Sequence, residues 1–242
     1  MLNRRELLAI LGAGVGASVT ACGSSTPTGP TTGSTSGTTG TTSTTTVSTS
    51  GGCAVIPSET EGPYPDKLGM IGNSAFFRRD VREGKSGTPL TLTLTIVNVS
   101  GSCAPIAGAN VEIWQCDAAG NYSEYSQPGF DGTGQTFLRG LQTTDANGQV
   151  TFTTIYPGWY MGRATHIHVD VFRNGALAKT TQIAFPEDVS RAVYASGVYA
   201  AKGQNSTSNA SDNVFSDGTS LEMASIAGSP AGGYVATLTV GI

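Results

Sequence analysis

The sequence predicts an all-β fold, an antiparallel β-sandwich with short helices and long loops, spanning residues 53–242. Three observations predict it. Short runs of Leu, Ile, Val and aromatic residues alternate with Thr, Asn and Gln at period 2, the pattern of half-buried strands. Gly, Asn and Pro separate these runs, and the 242 residues include 33 glycines and 11 prolines. Charged residues make up 12% of the chain, against a usual share of about 25%, and no convincing helix lies between the strand patterns. Several short strands without intervening helices argue for a sandwich.

Taken in order, the chain opens on Arg4-Arg5 and an apolar run, Leu7–Ala21, that falls short of the roughly 20 residues needed to span a bilayer. A charged start, a short apolar middle and the small residues before Cys22 read as a signal peptide over residues 1–21, outside the fold. Asn3-Arg4-Arg5-Glu6-Leu7-Leu8 is similar to a twin-arginine export signal, with an ordinary secretory route left open. Val19-Thr20-Ala21-Cys22 is similar to a bacterial lipobox, which makes Cys22 a lipidated mature N-terminus. From Gly23 to Gly52 every residue is Ser, Thr, Gly or Pro except Val47, so residues 22–52 read as a lipidated cysteine with a tether. As a flexible coil such a tether extends about 30 Å.

Within the domain, Pro89–Val99 (PLTLTLTIVNV) is the clearest strand. Val111–Gln115, Gln149–Ile155, His166–Phe172, Lys179–Phe185 and Tyr234–Ile242 follow, and Ala146-Asn147-Gly148 marks a turn. A weak helical pattern covers residues 190–201. Of Cys53, Cys103 and Cys116, two are expected to form a disulfide and one to remain a thiol, and the sequence leaves the pair open. A net charge of -4 without any cluster of Lys or Arg argues against nucleic acid as a partner.

The chemistry concentrates in His166-Ile167-His168, the chain's 2 histidines. Residues two apart in a strand share a face, with Cα atoms about 6–7 Å apart, so both imidazoles can converge on one metal. Structural histidines with satisfied hydrogen bonds are the plain alternative. Asp170 continues the alternation and suits a ferrous two-histidine, one-carboxylate site. Phenolates are the other option. Tyr122 ends the turn Ala118-Ala119-Gly120-Asn121, and Tyr160 closes Tyr156-Pro157-Gly158-Trp159-Tyr160. A free tyrosine ionises near pH 10, but a hard trivalent ion stabilises the phenolate directly. For any one of the 8 tyrosines taken alone, packing is the simpler role.

Several segments, in order, go beyond this. They are Thr60-Glu61-Gly62-Pro63-Tyr64, Val111-Glu112-Ile113-Trp114-Gln115, Asp117–Tyr122, Phe137-Leu138-Arg139-Gly140, Thr144–Gly148, Thr154–Tyr160 and Arg163-Ala164-Thr165-His166-Ile167-His168. From about Ile56 to Ile242 the chain resembles the intradiol ring-cleavage dioxygenases, non-haem ferric enzymes that open catechols between the two hydroxylated carbons. The resemblance implies Tyr122, Tyr160, His166 and His168 as ligands of one Fe(III) per chain. Arg163 is implied as a cation beside them, Gln182 as a residue near bound substrate, and Pro63 and Tyr64 as part of the segment over the site. Tyr156 stands where the protocatechuate enzymes usually have lysine and is not counted as a ligand. The stretch from Tyr160 to His166 is shorter than in the intracellular catechol and protocatechuate enzymes and looks more like a secreted subgroup.

The implied reaction joins a small aromatic diol to O2 and yields a cis,cis-muconate-type diacid. Membrane contact is expected through the lipid anchor only, on an exported lipoprotein at the cell surface or facing the periplasm. A homo-oligomer is left open. A non-catalytic sandwich module that keeps the fold while its tyrosines merely pack is the rival from another class. Colour separates the readings, because phenolate-to-ferric charge transfer is visible whereas an empty module or a zinc or ferrous site is not.

Overall fold

The structure is a computed structural model and describes residues 54–242. The signal peptide 1–21, the lipidation at Cys22, the tether 22–52 and Cys53 lie outside the described residues. The strands are β1 (Pro89–Asn98), β2 (Ala104–Pro105), β3 (Asn110–Trp114), β4 (Ser126–Gln127), β5 (Phe130–Asp131), β6 (Arg139–Thr143), β7 (Gln149–Ile155), β8 (His166–Arg173) and β9 (Ala176–Ala184). A helix α1 (Glu187–Tyr194) and the strands β10 (Ser225–Ser229) and β11 (Gly233–Gly241) complete the domain. Among the described residues no helix is long and apolar enough to cross a membrane.

The elements form two main sheets and one small hairpin, β4-β5. In the first sheet β1 is central, with β11 along one edge and both β7 and β2 along the other. Its Leu90, Leu92, Leu94 and Ile96 are each 1% exposed or less, as the Leu/Thr alternation requires. Fully burying such an aliphatic side chain contributes about 1.5–3 kcal/mol. The second sheet runs β6-β3-β8-β9, antiparallel throughout. One pair departs from the antiparallel expectation: β1 and β11 run parallel from Leu90↔Tyr234 to Val97↔Gly241. These are the first and last long strands, so the rest of the domain supplies the long connection that parallel pairing needs.

Strand β8 is buried on both faces, and this places the site. Ile167, Val169 and Val171 point into the sandwich core with Val111, Ile113 and Ile183. His166, His168 and Asp170 occupy the opposite face and are also buried, at 3%, 0% and 6% exposed. A second, smaller core covers that outer face: Met70, Phe76, Trp114, Cys116, Tyr122 and Leu141, with Tyr64, Tyr125 and Tyr160 packed on it. The N-terminal segment and two loops therefore roof one face of the sheet.

Strand β6 lacks an alternating pattern, and Gly140 is its second residue. A Cβ there would meet Val81 Cγ1 at 2.4 Å, so a larger residue would push Val81 and the N-terminal segment away where it crosses. The helix predicted over 190–201 is instead α1, which starts after Pro186 with Glu187 and Asp188 in its first turn. It ends before Gly197, whose φ of +52° opens a separate 3-10 turn over Gly197–Tyr199. Cys103 is disulfide-bonded, and Cys116 is the buried free thiol.

Candidate metal centre

A single row of register partners crosses the second sheet: Arg139 on β6, Trp114 on β3, His168 on β8 and Gln182 on β9. All four are fully buried or nearly so, and they point outward from the sandwich core. His166, two residues from His168, shares its face. The two imidazole Nε2 atoms lie 3.2 Å apart. His166 Nδ1 sits 2.6 Å from the Ala164 carbonyl, so Nδ1 carries the proton and Nε2 presents a lone pair.

Two loops bring phenols to the same point. After β3, Asp117 Oδ1 accepts from the N–H groups of Ala119 and Asn121 and folds the turn that delivers Tyr122. Before β8, Trp159 donates its indole N–H to Gly203 O and Tyr160 follows. These loops touch backbone to backbone. A Cβ at Gly158 would lie 2.2 Å from Asp117 O, and one at Gly120 would lie 2.3 Å from Trp159 O. Gly120 also holds φ +87°, where other residues are strained. The result is that Tyr122 Oη and Tyr160 Oη each stand 3.5 Å from His166 Nε2.

Tyr64 closes the site from the N-terminal segment. Its ring stacks on Tyr122 at 4.5 Å and meets Tyr160 edge-on at 5.7 Å. Beside it Gly62, at φ +68°, passes so close to His168 that a Cβ would lie 3.2 Å from the imidazole Cε1. Pro63 is exposed between them.

A polar chain forms one wall. Asp212, 2% exposed, accepts from Arg163 Nε at 2.9 Å and from the Ala164 N–H at 2.7 Å. Arg163 Nη1 reaches Tyr160 Oη at 3.4 Å, and Nη2 donates to Gln182 Oε1 at 2.5 Å. Gln182 Nε2 then donates to the Thr60 carbonyl at 2.8 Å.

Burial sets the protonation of this cluster. It pushes His166 down to about 3, with the Arg163 charge adding to it, and His168 well below its usual value, with His166 as the next cause. Both imidazoles are therefore neutral at pH 7. Burial likewise raises Tyr122 well above its ordinary value and Tyr160 to about 12, Arg163 opposing the second shift. The protein alone thus holds two neutral phenols and two neutral imidazoles in contact.

A family model described as "Dioxygenase" matches residues 60–212, more than half of the chain. The chain belongs to the intradiol ring-cleavage dioxygenase family. It is similar to an intradiol ring-cleavage dioxygenase from Tetranychus urticae, 32% identical with a TM-score of 0.70 over 78% of this chain and 95% of that one. It is also similar to the dioxygenase domain of a dioxygenase carbohydrate-binding protein fusion from the cellulolytic bacterium Streptomyces sp. SirexAA-E. That match is 27% identical, with a TM-score of 0.56 over 78% of this chain and 98% of that one. Catechol 1,2-dioxygenase of Acinetobacter baylyi is 33% identical over 153 residues, 52% of this chain and 45% of the relative. The chain spans about half or less of the length of the curated relatives it matches.

Intradiol dioxygenases generally depend on non-haem Fe(III), and the residues present fit that ion. Four nitrogen and oxygen donors converge, yet the phenol-to-imidazole contacts of 3.5 Å are at the long limit for hydrogen bonds. His168 Nδ1 is buried without a hydrogen-bond partner, so no tautomer satisfies the bare pair of imidazoles. A hard trivalent ion takes the lone pairs and makes ionised phenols favourable.

Of the other residues named from the sequence, Asp170 does not join the imidazoles. It faces Glu112 across β3 and β8, beside Asp66 and Glu61, and the two-histidine, one-carboxylate set is not assembled. Tyr156 is turned away, its hydroxyl 2.7 Å from Ser190 Oγ. Asp212 and Arg139 escaped the sequence reading as functional groups. Asp212 sits in a polar loop 49 positions from Arg163 with no spacing signal, and Arg139 lay unassigned inside the Phe137–Gly140 motif.

Proposed function

We propose that this protein is a non-haem ferric dioxygenase that opens catechol-type rings between the two hydroxylated carbons with O2. Tyr122, Tyr160, His166 and His168 would hold one Fe(III). The observation that carries the reading is the convergence of these four donors under a matching family model. Held there, a ferric ion would supply Lewis-acid chemistry, drawing electron density from a catechol diolate and making it reactive towards O2.

The chain's own residues divide the remaining work. Tyr122 is 0% exposed and clamped beneath Tyr64, which makes it the fixed phenol. Tyr160 is only half-buried and ends a loop, so it is the phenol that can swing aside for the substrate. A catechol binding as a dianion sheds two protons; Tyr160 Oη, as the displaced phenolate, is placed to accept one of them, and a hydroxide from solvent takes the other as water. Arg163 favours negative charge at Tyr160 Oη and on the incoming ring, and its ion pair with Asp212 keeps it aimed there. Gln182, anchored by Thr60 O, fixes Arg163 from the other side. Tyr64 and Trp114 wall off water. A binding module that only kept this fold would have no use for buried phenols turned towards two neutral imidazoles.

We further propose that the protein is exported and lipid-anchored at Cys22, acting on small aromatic diols that reach it from outside the cytoplasm. Nucleic acid has no place in this reading, and membrane contact runs through the lipid alone. Oxygen uptake by the iron-loaded protein against catechol, protocatechuate and hydroxyquinol tests the activity. Uptake with none of them, or a colourless iron-loaded protein, would overturn it.

A further inference from the structure

Away from the four donors, three carboxylates from two distant segments meet on the surface: Glu59, Asp217 and Glu222. One oxygen from each lies within 4.8 Å of the others. Glu222 is 0% exposed. Its Oε1 accepts from Thr181 Oγ1 at 3.2 Å, while Oε2 is buried and has no hydrogen-bond partner among the described residues, which leaves that oxygen available to a ligand. An unpaired buried carboxylate oxygen is costly, and among the described residues no cationic side chain pairs with Glu222. The charge of Arg163 is felt by Glu59, but its hydrogen bonds go to Asp212, Gln182 and Tyr160.

We propose that Glu59, Asp217 and Glu222 form a binding site for a hard divalent cation, with Ca2+ as the fitting ion. The ligand set favours it. Carboxylate oxygens from two separate segments, one residue buried, one half-buried and one exposed, suit the flexible six- to eight-oxygen shell of Ca2+ better than the strict octahedron of Mg2+. Asp217 is exposed and Glu59 half-buried, so the ion enters from solvent and water completes its shell. Burial, followed by the charge of Glu59, pushes Glu222 up to about 8, and burial also raises Glu59. Both shifts are those of carboxyls lacking a cation.

The site ties together segments that matter to the neighbouring centre. Glu59 leads into Thr60, whose carbonyl holds Gln182, and the Glu59 N–H is bonded to Thr180 O. Glu222 docks on β9 through Thr181 Oγ1 and through its carbonyl to the Ala184 N–H. The loop from residue 212 to residue 222 starts at Asp212, the partner of Arg163. A cation here clamps the N-terminal roof and the Asp212 loop onto β9. It uses none of the proposed iron ligands, so the inference stands or falls apart from the dioxygenase reading.

The test is calcium titration of the full-length iron-loaded protein after dialysis against a calcium-selective chelator. Three protein ligands and an open face predict a Kd of about 10⁻⁴–10⁻³ M. At tenfold Kd the melting temperature should rise by about 3–6 °C. The response should vanish in D217N, an exposed change that leaves folding intact, and in E222Q. It should persist in D188N, which removes a charge on α1. Iron content should stay unchanged in all three. No calcium response in the wild-type protein, an equal response to NaCl at matched ionic strength, or a full response in D217N overturns the site.

Discussion

His168 lies face to face on the indole of Trp114, with ring centroids 4.6 Å apart and planes 2° from parallel. The two residues are direct register partners on β8 and β3, so the sheet itself sets the stack. Trp114 thereby fixes the plane of an imidazole whose Nδ1 has no hydrogen-bond partner to do so. Trp114→Leu should leave the sandwich folded but loosen that ring, lowering iron affinity by about 10-fold or more, as losses of supporting groups around metal ligands do. Iron content after dialysis against a competing chelator measures it, and retention equal to wild type would show that the stack is mere packing.

Arg139, the next residue in the same row, holds the roof together. It is 0% exposed and donates to Ser123 Oγ, the Ser123 carbonyl and the Tyr64 carbonyl, with Glu124 Oε2 at 3.6 Å. One guanidinium thus joins the Tyr122 loop to the Tyr64 segment. Arg139→Met removes the cation and leaves Glu124, 5% exposed, with only the Lys67 N–H on its Oε2. A loss of about 3–5 kcal/mol follows for a buried pair broken on one side, read by urea denaturation. The double change Arg139→Met with Glu124→Gln should recover part of it.

Much of this architecture is legible in the chain. The Leu/Thr alternation of Pro89–Asn98 is visible because β1 buries one face, and His166-Ile167-His168 declares a shared face by spacing alone. The row Arg139–Trp114–His168–Gln182 is not legible, since register between strands distant in sequence is fixed by packing. Strand β8 is legible over His166–Phe172, but the burial of both its faces is not, and only the second core over its outer face explains it. Asp212 illustrates the remaining gap. Its role comes from a loop returning to Arg163, and no local pattern records such a return.

Glu112 gives the stability a pH dependence. It is 4% exposed, and burial, with Asp66 and Asp170 adding repulsion, pushes it up to about 8. Its unfolded value is near 4.3, so the native state keeps a proton that the unfolded chain releases. The stability linked to Glu112 is complete below about pH 4 and is lost as pH rises through about 8. Glu112→Gln mimics the protonated form and should flatten this part of the profile. Denaturant midpoints at pH 5 and pH 8.5, in calcium-free buffer, give the comparison; a slope unchanged in E112Q assigns the dependence elsewhere.

The three tyrosines around Tyr64 separate ligation from packing. Tyr122 and Tyr160 each place a hydroxyl 3.5 Å from His166 Nε2, whereas the Tyr125 hydroxyl donates to Pro65 O at 2.8 Å while its ring meets Tyr64 edge-on at 5.1 Å. All three sit in the same aromatic cluster, so Phe at each position preserves ring packing and deletes one oxygen. If Tyr122 and Tyr160 are phenolate ligands, the iron-loaded protein holds about one ferric ion and shows a broad visible band that shifts when catechol is added. Tyr122→Phe should weaken iron retention and the band together, because this phenol is clamped and nothing else can take its place. Tyr160→Phe should alter the band and cut turnover most, since it removes the oxygen placed to accept a substrate proton beside Arg163. Tyr125→Phe should cost about 1 kcal/mol of stability for the lost hydrogen bond and leave colour and turnover near wild type. A Tyr125→Phe protein that bleaches while Tyr122→Phe keeps its colour would reverse the ligand assignment, and equal zinc and iron binding with no effect of any of the three would remove the ferric reading.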